Sequence, residues 1–293
     1  MTRILPIIIN PAAGPERPVL HALNRGLNAT GVDWELHLTH AKGDGERIAR
    51  QLLAKGAERI AVCGGDGTVK EVAAALAGTP ATMAILPGGT GNALATELGI
   101  PLDLAQASRL AAAAAPRTRA LDLGRIGVHV FPLRASLGLE TLVITQTPRD
   151  LKNGLGGLAY TLAALSLVGQ VPLTKYQLLI DGQAVEATGV QCTIANSAQM
   201  GVTGLSLAQG VSVDDGLLDI IVVTTTDLTA LADIAASNFL GQNLGSDILH
   251  WQGREVRVAA EPAQDIALGG DVVARSPATI TIWPGALKVI VPG

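Results

Sequence analysis

The segment Ile60-Ala61-Val62-Cys63-Gly64-Gly65-Asp66-Gly67-Thr68 decides the fold. Its four apolar residues favour a buried strand, which runs directly into a glycine-rich turn, and the residues after Thr68 have the apolar spacing of a helix. Glycine lets backbone N–H groups close on an anion, and the N-terminus of a following helix adds partial positive charge. The segment therefore predicts a strand, an anion-binding turn and a helix.

Two further glycine turns follow predicted strands. Asn10-Pro11-Ala12-Ala13-Gly14 comes after the apolar run Ile4–Ile9, and Gly88-Gly89-Thr90-Gly91-Asn92 comes after Thr82–Leu86. In a parallel α/β sheet, such turns meet at the carboxyl edge, where ligands bind. One glycine turn alone is usually only a tight connection. Three of them at one sheet edge favour a phosphate site.

Asp66 is an unusual residue for such a turn, because a carboxylate repels phosphate unless a cation lies between them. We interpret Asp66 as orienting either a Mg²⁺ shell or the loop itself, while Thr68 and Thr90 can add hydroxyl donors. The chain lacks the G-x-x-x-x-G-K-[ST] pattern, which excludes a P-loop NTPase. It also lacks G-x-G-x-x-G after its first strand, which weakens a dehydrogenase interpretation.

The first part of the chain, residues 1–123, alternates between strand-like and helix-like segments. This alternation predicts an α/β domain with a parallel sheet covered on both faces. The predicted strands are Ile4–Ile9, Trp34–Thr39, Arg59–Cys63 and Thr82–Leu86, and the predicted helices are Val19–Leu27, Gly45–Ala54, Val69–Leu76, Asn92–Leu98 and Leu104–Ala114.

The second part, residues 124–293, is rich in β-type segments and predicts a β-sandwich-like domain. Asp181-Gly182 is a strong hairpin signal, and Leu287–Val291 is β-like and could join either domain. The predicted strands are Gly127–Leu133, Tyr176–Ile180, Ala184–Ala195, Leu217–Val223, Arg254–Ala259, Ile266–Leu268 and Thr279–Trp283, and the predicted helices are Leu155–Val168 and Leu228–Phe239. The predicted fold class is therefore α/β plus β.

The composition narrows the class of protein. The chain has 293 residues, of which 48% are hydrophobic and 16% are charged, and so apolar a composition excludes intrinsic disorder. The formal net charge is -4 and no basic run occurs, so we expect no nucleic-acid partner.

The cysteines and the lengths of the apolar runs indicate in which cellular compartment the protein is expected. Cys63 and Cys192 each lie in an apolar run, and we interpret them as buried free thiols. The apolar N-terminal stretch is too short for a signal peptide, and no window reaches the ~18 consecutive apolar residues of a spanning helix. We therefore expect a cytoplasmic protein.

The three turns resemble the nucleotide-site signatures of the diacylglycerol kinase catalytic-domain family, which includes bacterial lipid kinases, sphingosine kinases and ceramide kinases. The resemblance continues through Asp214-Asp-Gly-Leu-Leu-Asp219 and the ending Pro277–Pro292, and so covers essentially the whole chain. Gly-Gly-Asp-Gly-Thr alone also occurs in NAD kinases. The elements Leu86-Pro-Gly-Gly-Thr-Gly-Asn92 and Asp214–Asp219 favour a lipid kinase.

The resemblance implies a set of site residues, which we carry over by position. It implies a structural Mg²⁺ held by Ser212, Asp215 and the backbone carbonyl of Leu217, although a solvated acidic turn is the alternative for this segment. It implies that Asp271 is the catalytic base. The implied ATP contacts are Asn10, Pro11, Ala12, Ala13, Gly14, Thr39, Gly64, Gly65, Asp66, Gly67, Thr68, Val69, Lys70 and Thr90.

Two residues depart from the family pattern. Ala93 stands where the family has an acid directly after the asparagine, and Asp271 stands where it has glutamate. The shorter side chain moves the carboxylate by ~1.5 Å on an unchanged backbone.

The resemblance implies an ATP- and Mg²⁺-dependent kinase that phosphorylates a lipid hydroxyl, with transient contact to a membrane surface. The alternatives are an NAD kinase-like activity and a non-catalytic nucleotide- or lipid-binding protein.

Overall fold

The computed structural model describes residues 4–146, 171–197, 199, 210–227 and 247–293. The chain divides into two compact units, the first formed by Met1–Leu121 with Gly285–Gly293 and the second by Asp122–Pro284. The predicted helices Leu155–Val168 and Leu228–Phe239 lie outside the described residues. In the part of the chain that the structure describes, no helix is long and apolar enough to cross a membrane.

The first unit alternates strands and helices, as the sequence pattern predicts. In chain order its elements are β1 (Leu5–Ile9), α1 (Val19–Leu27), β2 (Trp34–Leu38), α2 (Asp44–Ala54), β3 (Arg59–Gly64), α3 (Asp66–Leu76), β4 (Thr82–Pro87), α4 (Ala93–Glu97) and α5 (Leu104–Ala111). The start of α3 differs from the prediction, because the helix begins at Asp66 rather than Val69. The residues Asp66-Gly67-Thr68 therefore form its first turn.

The strands of the first unit pair in the order β2-β1-β3-β4, and all of these pairs are parallel. The end of the last strand, β16 (Ala278–Ile290), adds in parallel to β4 through Lys288 and Val289. Strands β1, β3 and β4 are almost completely buried, which explains their continuous apolar sequences. The predicted parallel sheet is confirmed, and the glycine turns after β1, β3 and β4 lie at its carboxyl edge.

The second unit consists mainly of antiparallel strands. The remaining elements in chain order are β5 (Thr118–Ile126), β6 (His129–Phe131), β7 (Arg134–Gly138), α6 (Leu139–Gln146), β8 (Thr174–Ile180), β9 (Gln183–Gly189), β10 (Gln191–Ala195), β11 (Leu218–Val223), β12 (Ile248–Gly253), β13 (Glu255–Glu261), β14 (Asp265–Leu268) and β15 (Asp271–Arg275), followed by β16. Strands β5 and β16 each contribute residues to both units.

Two antiparallel layers enclose the core of the second unit. One layer has the strand order β12-β11-β10-β7-β14-β15, and in the other β13 pairs with β8 on one side and with the first half of β16 on the other. Apolar residues from both layers form one buried cluster, including Leu137, Ile194 and Ile220 from the first layer and Tyr176 and Val258 from the second. The β-sandwich-like prediction is confirmed.

Several predicted strands of this unit have wrong bounds. The predicted strand Gly127–Leu133 is wrong, because Gly127 adopts a φ of 56° and turns the chain between β5 and β6. The predicted strand Ala184–Ala195 is two strands, because Val190 leaves the ladder and donates its N–H to Val223. Strand β9 pairs with β8, whereas β10 pairs with β7 and β11.

Some elements of the second unit are not predicted by the sequence, and one strand is predicted as two separate segments. The sequence patterns do not predict strands β5, β7, β12 and β15 or helix α6. The two predicted segments Thr279–Trp283 and Leu287–Val291 belong to the single strand β16, so Pro284-Gly285 does not end it. The Asp181-Gly182 hairpin is confirmed, with both residues at positive φ between β8 and β9.

Both cysteines are buried and free, as predicted. Burial raises the pKa of the Cys63 thiol to about 11, an effect that the nearby Arg17 guanidinium partly offsets. Burial raises the pKa of Cys192 to about 12. Neither thiol is therefore ionised near neutral pH.

A buried carboxylate ties strand β12 to β11. Asp219 is completely buried, and its Oδ1 accepts hydrogen bonds from Nε2 of His250 at 2.6 Å and from Nε2 of Gln252 at 3.0 Å. Its Oδ2 is also buried and has no hydrogen-bond partner among the described residues. Because burying a carboxylate is costly unless donors compensate it, these two bonds are central to the edge of this sheet.

Replacing His250 with Leu keeps a side chain of similar volume but removes the shorter of these bonds. We expect the free energy of unfolding to fall by about 1–3 kcal/mol, since the buried Asp219 loses a donor. Urea unfolding followed by circular dichroism measures this change. His129→Leu, at an exposed position of β6, is the control and should stay within about 0.5 kcal/mol of the original protein. Equal stability of the two variants would show that the Asp219 contact contributes nothing.

Candidate functional site

Three loops meet at the carboxyl edge of the sheet in the first unit. We call Asn10–Gly14 the first loop, Gly64–Thr68 the second and Gly88–Asn92 the third. Backbone hydrogen bonds continue the sheet into the loops, because the N–H of Asn10 donates to Cys63 at 2.9 Å and the N–H of Gly88 donates to Gly64 at 3.0 Å. The loops are therefore fixed relative to one another by the backbone itself.

The third loop packs against the other two through backbone atoms, and this packing requires glycine. A Cβ on Gly88 would lie 2.6 Å from the backbone nitrogen of Gly64, and a Cβ on Gly89 would overlap the Cα of Gly65. Gly14 has a φ of 70°, and a Cβ there would overlap the carbonyl oxygen of Gly88. These glycines are explained by close approach of the backbone.

Gly65 and Gly67 are different, because the packing of the described residues does not require them. A Cβ on Gly65 would make only an ordinary 3.5 Å contact with the Cα of Gly89, and a Cβ on Gly67 would meet nothing within 4 Å. Neither residue has a positive φ. The space beside them is open, and it lies at the N-terminus of α3, where first-turn N–H groups have no partner within the helix.

Polar side chains form hydrogen bonds within the loops and between them. Oδ1 of Asp66 accepts a hydrogen bond from the N–H of Ala93 at 2.8 Å, which ties the second loop to the start of α4. Of the two interpretations of Asp66, this contact supports the one in which it orients the loop. Asn92 has a φ of 52° and exchanges two hydrogen bonds with the backbone of Gly89. Nδ2 of Asn10 donates to Oγ1 of Thr68 at 3.1 Å.

The remaining predicted ATP contacts fall into two groups. Thr90 is exposed and Lys70 half-buried, so both side chains reach solvent near the loops. Val69 is 4% exposed and its N–H donates to Gly65, so its side chain belongs to the core. Thr39 follows β2 and donates its N–H to Ile9 at 2.9 Å, which places it beside the end of β1.

The loop after Thr39 is held by two acidic residues. Oδ2 of Asp44 accepts from the N–H groups of His40 and Ala41 at 2.8 and 2.9 Å. The His40 bond, with Arg47, holds the pKa of Asp44 well below its usual range. Glu71 of α3 accepts from the N–H groups of Gly43 and Gly45. The sequence analysis missed Glu71, which joins the start of α2 to α3.

A cavity of about 380 Å³ opens beside the first loop. Its lining includes the first loop itself, Cys63, Gly88 and Arg17. Nη2 of Arg17 donates to the carbonyl oxygen of Pro87 at 2.6 Å and so links the segment after the first loop to the end of β4. Arg17 lies outside every sequence motif described above, so its sequence position alone does not mark it as part of the site.

The predicted metal ligands lie in the second unit. Oγ of Ser212 donates to Asp214 at 2.8 Å, and Oδ1 of Asp215 accepts from the N–H of Leu217 at 3.0 Å. Oδ2 of the buried Asp122 accepts from the N–H of Gly216 at 2.7 Å, an anchor that the sequence analysis did not identify.

Electrostatics around this turn fit a hard cation. Partial desolvation and the negative charges of Asp219 and Asp122 raise the pKa of Asp215. Carboxylate, hydroxyl and carbonyl oxygens are the donors that Mg²⁺ prefers. In the described ranges, no three His, Cys, Asp or Glu side chains converge on a common point, so a site here depends on the hydroxyl and carbonyl oxygens too. Ser212, Asp215 and Leu217 stay a prediction.

Asp271 lies at the tip of a hairpin in the second unit. It is the first residue of β15 and pairs with Leu268 of β14 across the Gly269-Gly270 turn, in which Gly269 has a φ of 62°. Its side chain is half-buried. The catalytic role of Asp271 stays a prediction.

Comparison with known proteins identifies both halves of the chain. Residues 5–126 match the diacylglycerol kinase catalytic domain, and residues 134–291 match the YegS C-terminal NAD kinase beta sandwich-like domain. A protein of Pseudomonas fluorescens named a probable YegS-like lipid kinase is 35% identical, over 90% of this chain and 87% of that protein. A protein of the same name from Pseudomonas aeruginosa is 32% identical, over 99% of this chain and 94% of that protein.

A solved structure agrees with these relatives. The crystal structure of a "putative diacylglycerol kinase" from Bacillus anthracis strain Sterne superposes with a TM-score of 0.82 at 26% sequence identity, covering 99% of this chain and 97% of that chain. The chain therefore belongs to the diacylglycerol kinase catalytic-domain family, among the YegS-like lipid kinases.

Proposed function

We propose that this protein transfers the γ-phosphoryl group of Mg-ATP to a hydroxyl group of diacylglycerol or a related lipid. Its family makes it an ATP-dependent kinase. The observation that carries the proposal is the open space at Gly65 and Gly67, between loops that are otherwise packed backbone against backbone. Glycines that the fold itself does not need are explained by close approach of a ligand.

The first unit supplies the nucleotide part of the mechanism. The N-terminal N–H groups of α3 and the glycine loops donate to the phosphates, and the helix adds partial positive charge. Phosphoryl transfer depends mostly on positioning and on neutralising charge. Loops that are fixed before the nucleotide binds need little reorganisation, which favours catalysis by positioning.

Mg²⁺ enters the proposal in two places. When bound with ATP it supplies charge neutralisation at the phosphate oxygens. A second, structural ion would be held by Ser212, Asp215 and the carbonyl of Leu217, where the mutual repulsion of Asp215, Asp219 and Asp122 favours a cation.

The second unit supplies the base. We propose that Asp271 accepts the proton of the acceptor hydroxyl as that oxygen attacks the γ-phosphorus. The hairpin tip carries no bulky residue before it, because Gly269-Gly270 precedes Asp271. A lipid headgroup can therefore approach the carboxylate without meeting a neighbouring side chain of that turn.

The direct experiment offers the purified protein Mg-ATP with a panel of lipids in mixed vesicles, and with NAD in parallel. Mass spectrometry identifies any phosphorylated acceptor. We expect phosphorylation of a lipid that carries a free hydroxyl, such as diacylglycerol. Phosphorylation of NAD alone would replace the proposal with an NAD kinase-like activity, and ATP binding without any product would indicate a non-catalytic relative.

Gly65→Val tests the open space in the second loop. Because Gly65 has no positive φ and its Cβ has room, we expect the fold to persist. The branched side chain should block close approach of phosphate and lower ATP affinity at least tenfold, or ~1.4 kcal/mol. Titration calorimetry measures the affinity. Unchanged ATP affinity would mean that this turn is only structural.

Gly89→Ala is the matched comparison, because its Cβ would overlap Gly65. We expect this variant to lower the melting temperature by several degrees, whereas Gly65→Val should not. A stable Gly89→Ala protein would contradict the packing argument.

Asp271→Asn tests the base, since it keeps the size of the side chain and removes its basicity. We expect turnover to fall by about 10²–10⁴-fold while ATP affinity stays near that of the original protein. Asp271→Glu restores the family's longer carboxylate and should keep or raise activity. Asp265→Asn on the same hairpin, where the aspartate is exposed, is the control and should keep full turnover. Full turnover in Asp271→Asn would remove Asp271 from the mechanism.

A further inference from the structure

The cavity beside the first loop contains a guanidinium group that has no anionic partner in the described part of the chain. Arg17 lines this cavity together with Gly14, Cys63 and Gly88. Within the described ranges, its one hydrogen bond joins Nη2 to the carbonyl oxygen of Pro87. Its Nε is buried and has no hydrogen-bond partner among the described residues.

Other arginines of the first unit show what Arg17 lacks. Arg47 pairs with Asp44 at 2.7 Å, Arg50 pairs with Glu46 at 2.7 Å, and Arg25 pairs with Asp103 at 3.6 Å. In the described part of the chain, no carboxylate lies within ion-pair distance of Arg17. Its positive charge is therefore compensated only by a neutral carbonyl.

A partly buried guanidinium in this state favours an anion. A buried donor without a partner costs free energy, and a charged group costs more than a neutral one. Guanidinium groups match the geometry of phosphate oxygens and bind them through several parallel N–H donors. The Pro87 contact uses Nη2, so Nη1 can donate to such a ligand.

The position of Arg17 connects this anion to the glycine loops. Pro87 directly precedes the third loop, and the cavity lining includes Gly88, whose N–H donates to Gly64 of the second loop. An anion in this cavity therefore lies beside the first loop and the start of the third loop. The cavity volume falls within the range of small-molecule sites.

We propose that Arg17 binds the polyphosphate chain of the nucleotide, as a specificity residue that favours highly charged ligands over the bare nucleoside. This proposal rests on the proposed function, because it assumes that the loops bind a nucleotide. Arg17 has two roles in it: Nη2 holds the segment after the first loop to the end of β4, and Nη1 donates to phosphate oxygens.

The experiment compares three ligands and three variants by titration calorimetry at one Mg²⁺ concentration. The ligands are ATP, inorganic tripolyphosphate and adenosine. Arg17→Gln keeps a donor for the Pro87 carbonyl but removes the charge, and Arg17→Lys keeps the charge but loses the planar fork. Arg25→Gln removes the same charge from an exposed arginine of the first unit and is the control.

We expect Arg17→Gln to lower the affinity for ATP and tripolyphosphate at least tenfold and to leave adenosine affinity unchanged. The affinity of Arg17→Lys for the two phosphate ligands should lie between that of Arg17→Gln and that of the original protein. Arg25→Gln should bind every ligand with the affinity of the original protein. Should Arg17→Gln fail to fold, the comparison passes to Arg17→Lys, for which unchanged affinity for both phosphate ligands overturns the proposal.

The outcomes separate this proposal from the proposed function. Equal ATP affinity in Arg17→Gln and the original protein overturns the role of Arg17 and leaves the nucleotide site standing. An equal loss for ATP and adenosine also overturns it, because Arg17 then acts through loop structure. The original protein could instead bind tripolyphosphate through Arg17 and bind ATP no more tightly than tripolyphosphate. In that case the anion site stands and the nucleotide proposal fails.

Discussion

The whole site depends on how closely the second and third loops approach each other. The N–H of Gly88 donates to Gly64, and the missing side chains of Gly88 and Gly89 allow backbone to lie against backbone. A Cβ at either position would clash with the backbone of the second loop, so the two loops could not keep this spacing. The hydrogen bond from the N–H of Ala93 to Asp66 also holds the two loops together, because it fixes the start of α4 to the second loop.

That contact does not depend on the family acid that is missing here, because it uses the backbone N–H of Ala93. The family pattern places an acid at the position of Ala93, whereas this chain has an alanine that is 2% exposed. The start of α4 still receives a carboxylate, since Asp66 accepts its N–H from the neighbouring loop. Negative charge at a helix N-terminus is favourable whichever residue provides it. The departure at Ala93 therefore leaves the cap of α4 intact.

The parts of the fold that the sequence predicted are those set by local patterns. Strands β1, β3 and β4 are continuous apolar runs followed by the three loops, and their parallel arrangement places these loops at one edge. The parts that it missed depend on tertiary partners. Arg17 and Glu71 bind backbone groups far away in sequence, at Pro87 and at Gly43 and Gly45, and no local spacing encodes such contacts. In the second unit, Val190 ends a strand because its N–H bonds outside the ladder, which alternation of side chains does not reveal.

The shorter carboxylate at Asp271 lies on a hairpin whose backbone is itself irregular. Strands β14 and β15 shift register between Ile266 and Ala267. Such an irregularity bends the bulged strand and increases its twist, and so re-aims the residues beyond it. The direction of the Asp271 carboxylate is therefore set by the hairpin backbone as well as by side-chain length. Side-chain length alone therefore does not fix where this carboxylate lies, and the difference of ~1.5 Å between aspartate and glutamate does not by itself argue against the proposed role of Asp271.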